Sequence, residues 1–240
     1  MRGSTNGADD MSGDLELSIL GVAGKERPDG AVDISINSTR GEINGILHTC
    51  EGEPGAVIYV GGALGGLDGP ADGLYPKLAH ELSAPGGMTG LRLHYRQPGE
   101  FQECVLDVLG GVSFLRGVGA QRIALVGHSF GAAVVIKAGE LSDAVVGVAA
   151  LSPQLYGTRT VERLAPRRLL LVHGTADRVL DAEASRDIHA RAGEPKRLEL
   201  YDGAGHSLRS CAEELFELTK GWLLETVAAN ANEVENDNAV

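Results

Sequence analysis

Residues 122–131, Arg-Ile-Ala-Leu-Val-Gly-His-Ser-Phe-Gly, run an apolar stretch straight into a Gly-x-Ser-x-Gly turn, and the small residues Ala132-Ala133-Val134-Val135 follow. The stretch reads as a buried strand and its sequel as a helix, so the chain must reverse sharply at Ser129. A strand-to-helix turn of this kind holds its serine exposed, and the flanking Gly127 and Gly131 relieve crowding at the strained backbone. The helix behind it turns its N-terminal N–H groups toward any negative charge that develops there. A serine in this setting is a candidate nucleophile.

The rest of the chain alternates strand and helix patterns, as expected of a mostly parallel sheet covered on both faces. Strands are predicted at 32–36, 43–48, 56–60, 90–94, 122–126, 145–151, 168–173 and 197–201, with helices at 73–82, 101–116, 131–141, 181–192 and 210–226. The first two strands alternate polar and apolar residues across Asn37-Ser38-Thr39-Arg40-Gly41-Glu42, which predicts an antiparallel hairpin at the sheet edge. One domain is expected over residues 15–227, between disordered segments at 1–14 and at the acidic 228–240.

Two more strand ends carry chemistry. Leu169-Leu170-Leu171-Val172-His173-Gly174-Thr175-Ala176-Asp177 presents a carboxylate, and Asp202-Gly203-Ala204-Gly205-His206 delivers a histidine beyond the strand at 197–201. Ser129, Asp177 and His206 thus follow one another in the order serine, acid, histidine, each past the C-terminal end of a predicted parallel strand. Asp181 and Asp202 are rival acids, although Asp202 precedes the histidine by only four residues and Asp181 would start the next helix.

With these three motifs the chain resembles the α/β-hydrolase family from about Ala31 to about Val227. The resemblance implies Ser129 as nucleophile, His206 as general base and then acid, and Asp177 as the group that orients and stabilises the imidazole. It also implies an oxyanion hole in Gly61-Gly62-Ala63-Leu64-Gly65-Gly66, built from the backbone N–H of Ala63 or Leu64 together with that of Phe130. Family members often carry His-Gly where this chain has Gly61-Gly62. The eight predicted strands, with the second antiparallel, fit the family sheet. The 16 residues from Ser152 to Arg167 are too few for the helical lid that many members insert there. Within the family the chain most resembles the compact dienelactone-hydrolase-like branch, whose members named for dienelactone carry a cysteine where this chain has Ser129.

Substrate-contacting candidates near the predicted strand ends are Leu64, Tyr95, Leu155, Tyr156 and Val179, with Leu67 and Phe101 beside them. Arg96 is expected either to meet a substrate carboxylate or to pair with Glu100 or Asp68. The glycines at 61–66 lack the Lys-Ser or Lys-Thr of a phosphate cradle and do not match G-x-G-x-x-G, which argues against nucleotide binding. A net charge of −12 argues against nucleic-acid or anionic-membrane partners. Cys50, Cys104 and Cys211 suggest neither a disulfide framework nor a zinc site, and no histidine has metal-protease spacing, so no metal and no cofactor are expected. The polar N-terminus lacks the apolar run of a secretory signal, which predicts a cytoplasmic location.

The expected function is therefore cleavage of a small-molecule ester or thioester through an acyl-enzyme on Ser129. Acyl transfer or peptide cleavage on the same three residues, and a non-catalytic hydrolase-like binding scaffold, are the alternatives.

Overall fold

The computed structural model describes the backbone of residues 16–237 and the side chains of residues 16–228. Among the described residues nine strands form one sheet: β1 (Ile19–Glu26), β2 (Val32–Ser38), β3 (Gly41–His48), β4 (Gly55–Val60), β5 (Thr89–His94), β6 (Arg122–His128), β7 (Val145–Leu151), β8 (Arg168–Gly174) and β9 (Lys196–Tyr201). Their order is β1-β2-β3-β5-β4-β6-β7-β8-β9. The first three strands pair antiparallel and β3 meets β5 antiparallel, while β5, β4 and β6 to β9 are all parallel.

The central strands are apolar on both sides because helices cover both. Ala56, Ile58, Val60, Ile123, Leu125, Leu169 and Leu171 point to one layer, filled by α2 (Phe101–Gly117), α3 (Phe130–Leu141) and α4 (Glu183–Arg191). The alternate residues Val57, Tyr59, Ala124, Val126, Leu170 and Val172 point to the other, filled by α1 (Pro70–Leu82) and α5 (Ala212–Asp237). Helix α2 comes very close to the sheet: a Cβ on Gly111 would lie 2.8 Å from Leu93 Cδ1 and 3.2 Å from Ile58 Cδ1. Two adjacent glycines inside a helix cost it propensity, and here close packing is the return.

Two sequence expectations need correction. The sheet has nine strands rather than eight, because β1 adds to the outer edge of β2. Only Ile19 of β1 is partly covered, so the strand is held by backbone pairing and carries no alternating apolar signature. Helix α5 continues past Thr226 to Asp237, so the segment expected to be disordered from Ala228 is helical that far; its alanines favour helix. Residues 238–240 and the N-terminal segment 1–14 lie outside the described residues. Between β7 and β8 there is only a short 3₁₀ turn at Val161–Leu164, and no cap is built over the sheet. Among the described residues no helix is long and apolar enough to cross a membrane, and the three cysteines are buried and unpaired.

Leu125 is fully buried at the centre of β6, so Leu125→Ala should cost about 2–5 kcal/mol of stability. Leu20→Ala on β1, where the side chain is 65% exposed, should stay within about 0.5 kcal/mol. Urea unfolding measures both, with the slope unchanged in each variant.

Candidate active site

The turn after β6 places Ser129 at φ 58, ψ −120, a conformation that non-glycine residues rarely hold. Its N–H donates to Leu151 O at 2.8 Å, which ties the strained residue to the end of β7. Both motif glycines are required by close backbone contact. A Cβ on Gly127 would lie 2.2 Å from Gly131 O, and one on Gly131 would lie 2.1 Å from Gly61 O. The elbow is therefore pressed against the loop that follows β4.

The three widely separated motifs meet at this point. His206 Nε2 lies 3.0 Å from Ser129 Oγ, and His206 Nδ1 lies 2.7 Å from Asp177 Oδ2. The Asp177 side chain is fully buried and its other oxygen accepts N–H groups from Val179 at 2.8 Å and Leu180 at 3.0 Å. Burial alone would raise its pKa, but the Leu180 N–H, the His206 imidazole and the Val179 N–H together hold the carboxyl below its usual range. Of the rival acids, Asp202 accepts from Thr175 Oγ1 and Asp181 from the N–H of Glu183. Neither touches His206.

The loop carrying His206 is held by its backbone. Its carbonyl accepts from His128 Nε2 at 2.9 Å and from Ser152 Oγ at 3.3 Å. Burial pushes the His128 imidazole down to about 4, against the opposing effect of that hydrogen bond. A neutral His128 with its hydrogen on Nε2 is the form that can donate to a carbonyl. The sequence places His128 in the elbow but does not reveal this contact, which spans 78 positions. Ser152, at φ 46 and fully buried, carried no signal at all. His173 is a second side chain that sequence reasoning sets aside as a non-metal histidine; it lies 3.1 Å from Asp177 Oδ2. Its spacing, four residues before the acid, was the available clue.

After β4, Gly65 N–H bonds to Gly62 O at 2.9 Å and closes a turn around Ala63 and Leu64. The N–H groups of Ala63 and Leu64 have no acceptor among the described residues, and Phe130, as the first residue of α3, has an N–H without an intrahelical partner. A Cβ on Gly62 would lie 3.7 Å from Ser129 Cβ, so the turn begins beside the serine. Leu64 is 95% exposed, Val179 69%, Tyr156 59% and Leu155 51%. Tyr95 differs from the expectation: it is buried, with its ring edge-on to Phe130 and its hydroxyl 3.4 Å from Gly61 O, so it supports the loop from beneath. Arg96 differs too. It pairs with buried Asp107 and with Glu103, not with Glu100 or Asp68, and its Nη1 donates to Arg40 O at 2.7 Å. This guanidinium is fully used in joining β5 to α2 and the β2–β3 turn.

No protein-family model matches the chain, and no curated protein matches it. Solved structures do. The dienelactone hydrolase from Anabaena variabilis superposes with a TM-score of 0.69 at 14% identity, over 85% of this chain and 98% of that one. The α/β hydrolase GrgF from Penicillium sp. sh18 gives 0.65 at 16% identity, over 90% of this chain and 100% of that one. XC6422 from Xanthomonas campestris, described as an α/β serine hydrolase without a lid, gives 0.64 at 17% identity over 85% and 97% of the two chains. The chain has the α/β-hydrolase fold. In this α/β-hydrolase fold the 3₁₀ turn at Val161–Leu164 stands where a helical lid would be inserted, and Ser129 at the end of β6 stays partly exposed.

Because Gly61 O occupies the place of a Gly131 side chain, Gly131→Ala should force the elbow and the β4 loop apart. The expected cost is about 1–3 kcal/mol, read by thermal melting.

Proposed function

We propose that the protein is a serine hydrolase that cleaves small carboxylic esters or thioesters through an acyl-enzyme on Ser129. The observation that carries this reading is the continuous line from Ser129 Oγ to His206 Nε2 at 3.0 Å and from His206 Nδ1 to the buried Asp177 carboxylate at 2.7 Å. Asp177, kept ionised by its N–H donors, accepts the Nδ1 hydrogen, which leaves Nε2 free to take the Ser129 proton. Oγ then attacks the substrate carbonyl. The oxyanion that forms accepts hydrogen bonds from the N–H of Phe130 and from that of Ala63 or Leu64. His206 passes its proton to the departing alkoxide or thiolate, and water activated by the same imidazole releases the acid and restores Ser129.

The surroundings favour an apolar substrate. Leu155, Val179, Leu180 and Ala184 form the apolar part of a groove of about 770 Å³ beside the Asp177 loop, whose rim is polar, with Gln154, Asp181, Glu183, Arg186 and Asp187. Across the elbow, the Phe130, Phe101 and Tyr156 rings meet edge-to-face at 5.9 and 5.2 Å. Gly157, at φ 88, makes room for this wall, since a Cβ there would lie 2.2 Å from the Phe101 ring. Leu64, Leu155, Tyr156 and Val179 are the substrate contacts in this reading, and an acyl or alkoxy chain covering them would remove exposed apolar surface from water.

A fluorophosphonate probe should label the wild-type chain at Ser129, and Ser129→Ala should abolish both labelling and turnover of p-nitrophenyl esters, a loss of about a million-fold. Labelling that persists in Ser129→Ala would refute the assignment. Asp177→Asn should lower turnover by about four orders of magnitude. Asp181→Asn and Asp202→Asn, which disturb only local hydrogen bonds, should lower it by less than about tenfold once folding is verified by circular dichroism.

A further inference from the structure

We infer that His173, with Ser185 behind it, is a positioning residue that fixes the Asp177 carboxylate and through it the basicity of His206. The inference rests on the reading of Ser129 as nucleophile. His173 Nε2 lies 3.1 Å from Asp177 Oδ2 and 3.0 Å from Leu180 O. A carboxylate and a carbonyl only accept, so Nε2 carries a hydrogen directed between them. Nδ1 lies 2.7 Å from Ser185 Oγ, and the hydroxyl is the donor that satisfies an unprotonated Nδ1. Ser185 on α4 thereby selects the tautomer that points a hydrogen at Asp177. Both side chains are fully buried, where an imidazole with a missing partner would be costly.

Two imidazole N–H groups thus converge on Oδ2, from His173 and from His206, while Oδ1 takes the N–H groups of Val179 and Leu180. Four donors hold the carboxylate against rotation and divide its charge. The titratable groups facing His206 are Asp177 from the loop after β8, with His173 behind it on the same carboxylate oxygen, and His128 from the elbow, whose ring centroid lies 4.8 Å away. Without the His173 donor, Oδ2 would answer to His206 alone. The stronger acceptor would stabilise the imidazolium and move the pH limb of reactivity upward, while the freed carboxylate would hold His206 less firmly and lower the maximal rate.

The test is the rate of fluorophosphonate labelling of Ser129 between about pH 5 and 9 in the wild type, His173→Phe, His173→Gln and Ser185→Ala. By analogy with the outer partners of metal-bound histidines, His173→Phe should slow plateau labelling by about 10- to 100-fold. Its limb should rise by about half a pH unit. His173→Gln, which returns an N–H at similar reach, should recover to within a few-fold of wild type. Ser185→Ala should show the same two changes, with a slowing of about three- to tenfold. A folded His173→Phe that labels as the wild type does, or a folded His173→Gln as slow as His173→Phe, would overturn the inference. If His173→Phe does not fold, unchanged labelling and pH profile in Ser185→Ala would overturn it. These outcomes leave Ser129 as nucleophile intact, whereas a wild-type chain that is not labelled at Ser129 removes both readings.

Discussion

The contact on which the rest of the site depends is backbone against backbone, Gly131 at the start of α3 against the carbonyl of Gly61 at the end of β4. Strands β4 and β6 are neighbours in the sheet, so their following loops rise side by side. Whether the loops touch depends on what separates them. With no side chain at Gly131 or Gly127, the elbow can close on itself and on the β4 loop, and Tyr95 fills the space beneath. Packing alone thus sets the N–H groups of the β4 loop and of Phe130 beside Ser129, the kind of preorganisation that the proposed chemistry would draw on.

The histidine has a different kind of support. The loop between β9 and α5 belongs to no strand or helix at His206, and the half-buried His128 and the buried Ser152, at the ends of neighbouring strands, grip its carbonyl. Gripping the backbone leaves the ring free to act as donor at one nitrogen and acceptor at the other. Burial keeps His128 neutral, so the grip adds no positive charge beside the His206 ring.

Strands β4, β6 and β8 were legible because they are covered on both faces, which makes a run such as Leu169-Leu170-Leu171-Val172 continuously apolar. Strand β1 was not legible, since it buries almost nothing and owes its place to β2 alone. Ser129, Asp177 and His206 could be chosen from chain order and strand ends, yet the choice among three aspartates needed the fold, because it turns on which carboxylate faces the ring. The Arg96 pairing with Asp107 escaped for a related reason: its partner sits one strand-to-helix turn away, on the helix face that packs against the sheet. Sequence distance favoured Glu100, and burial decided for Asp107. Tyr95 was misplaced because a strand end can turn its side chain inward as readily as outward, and the alternation that settles this inside a strand stops where the strand does.

The left-handed φ of 58 at Ser129 also limits which side chains this elbow can house. A threonine would bring a second branch at Cβ into backbone that already crowds an unbranched side chain, so its hydroxyl, chemically equivalent, is excluded on shape. Cysteine has the same unbranched outline as serine and places sulfur where Oγ stands. The backbone of this turn is therefore neutral between serine and cysteine but closed to threonine, and a hydroxyl can give way to a thiol there without the loop being rebuilt.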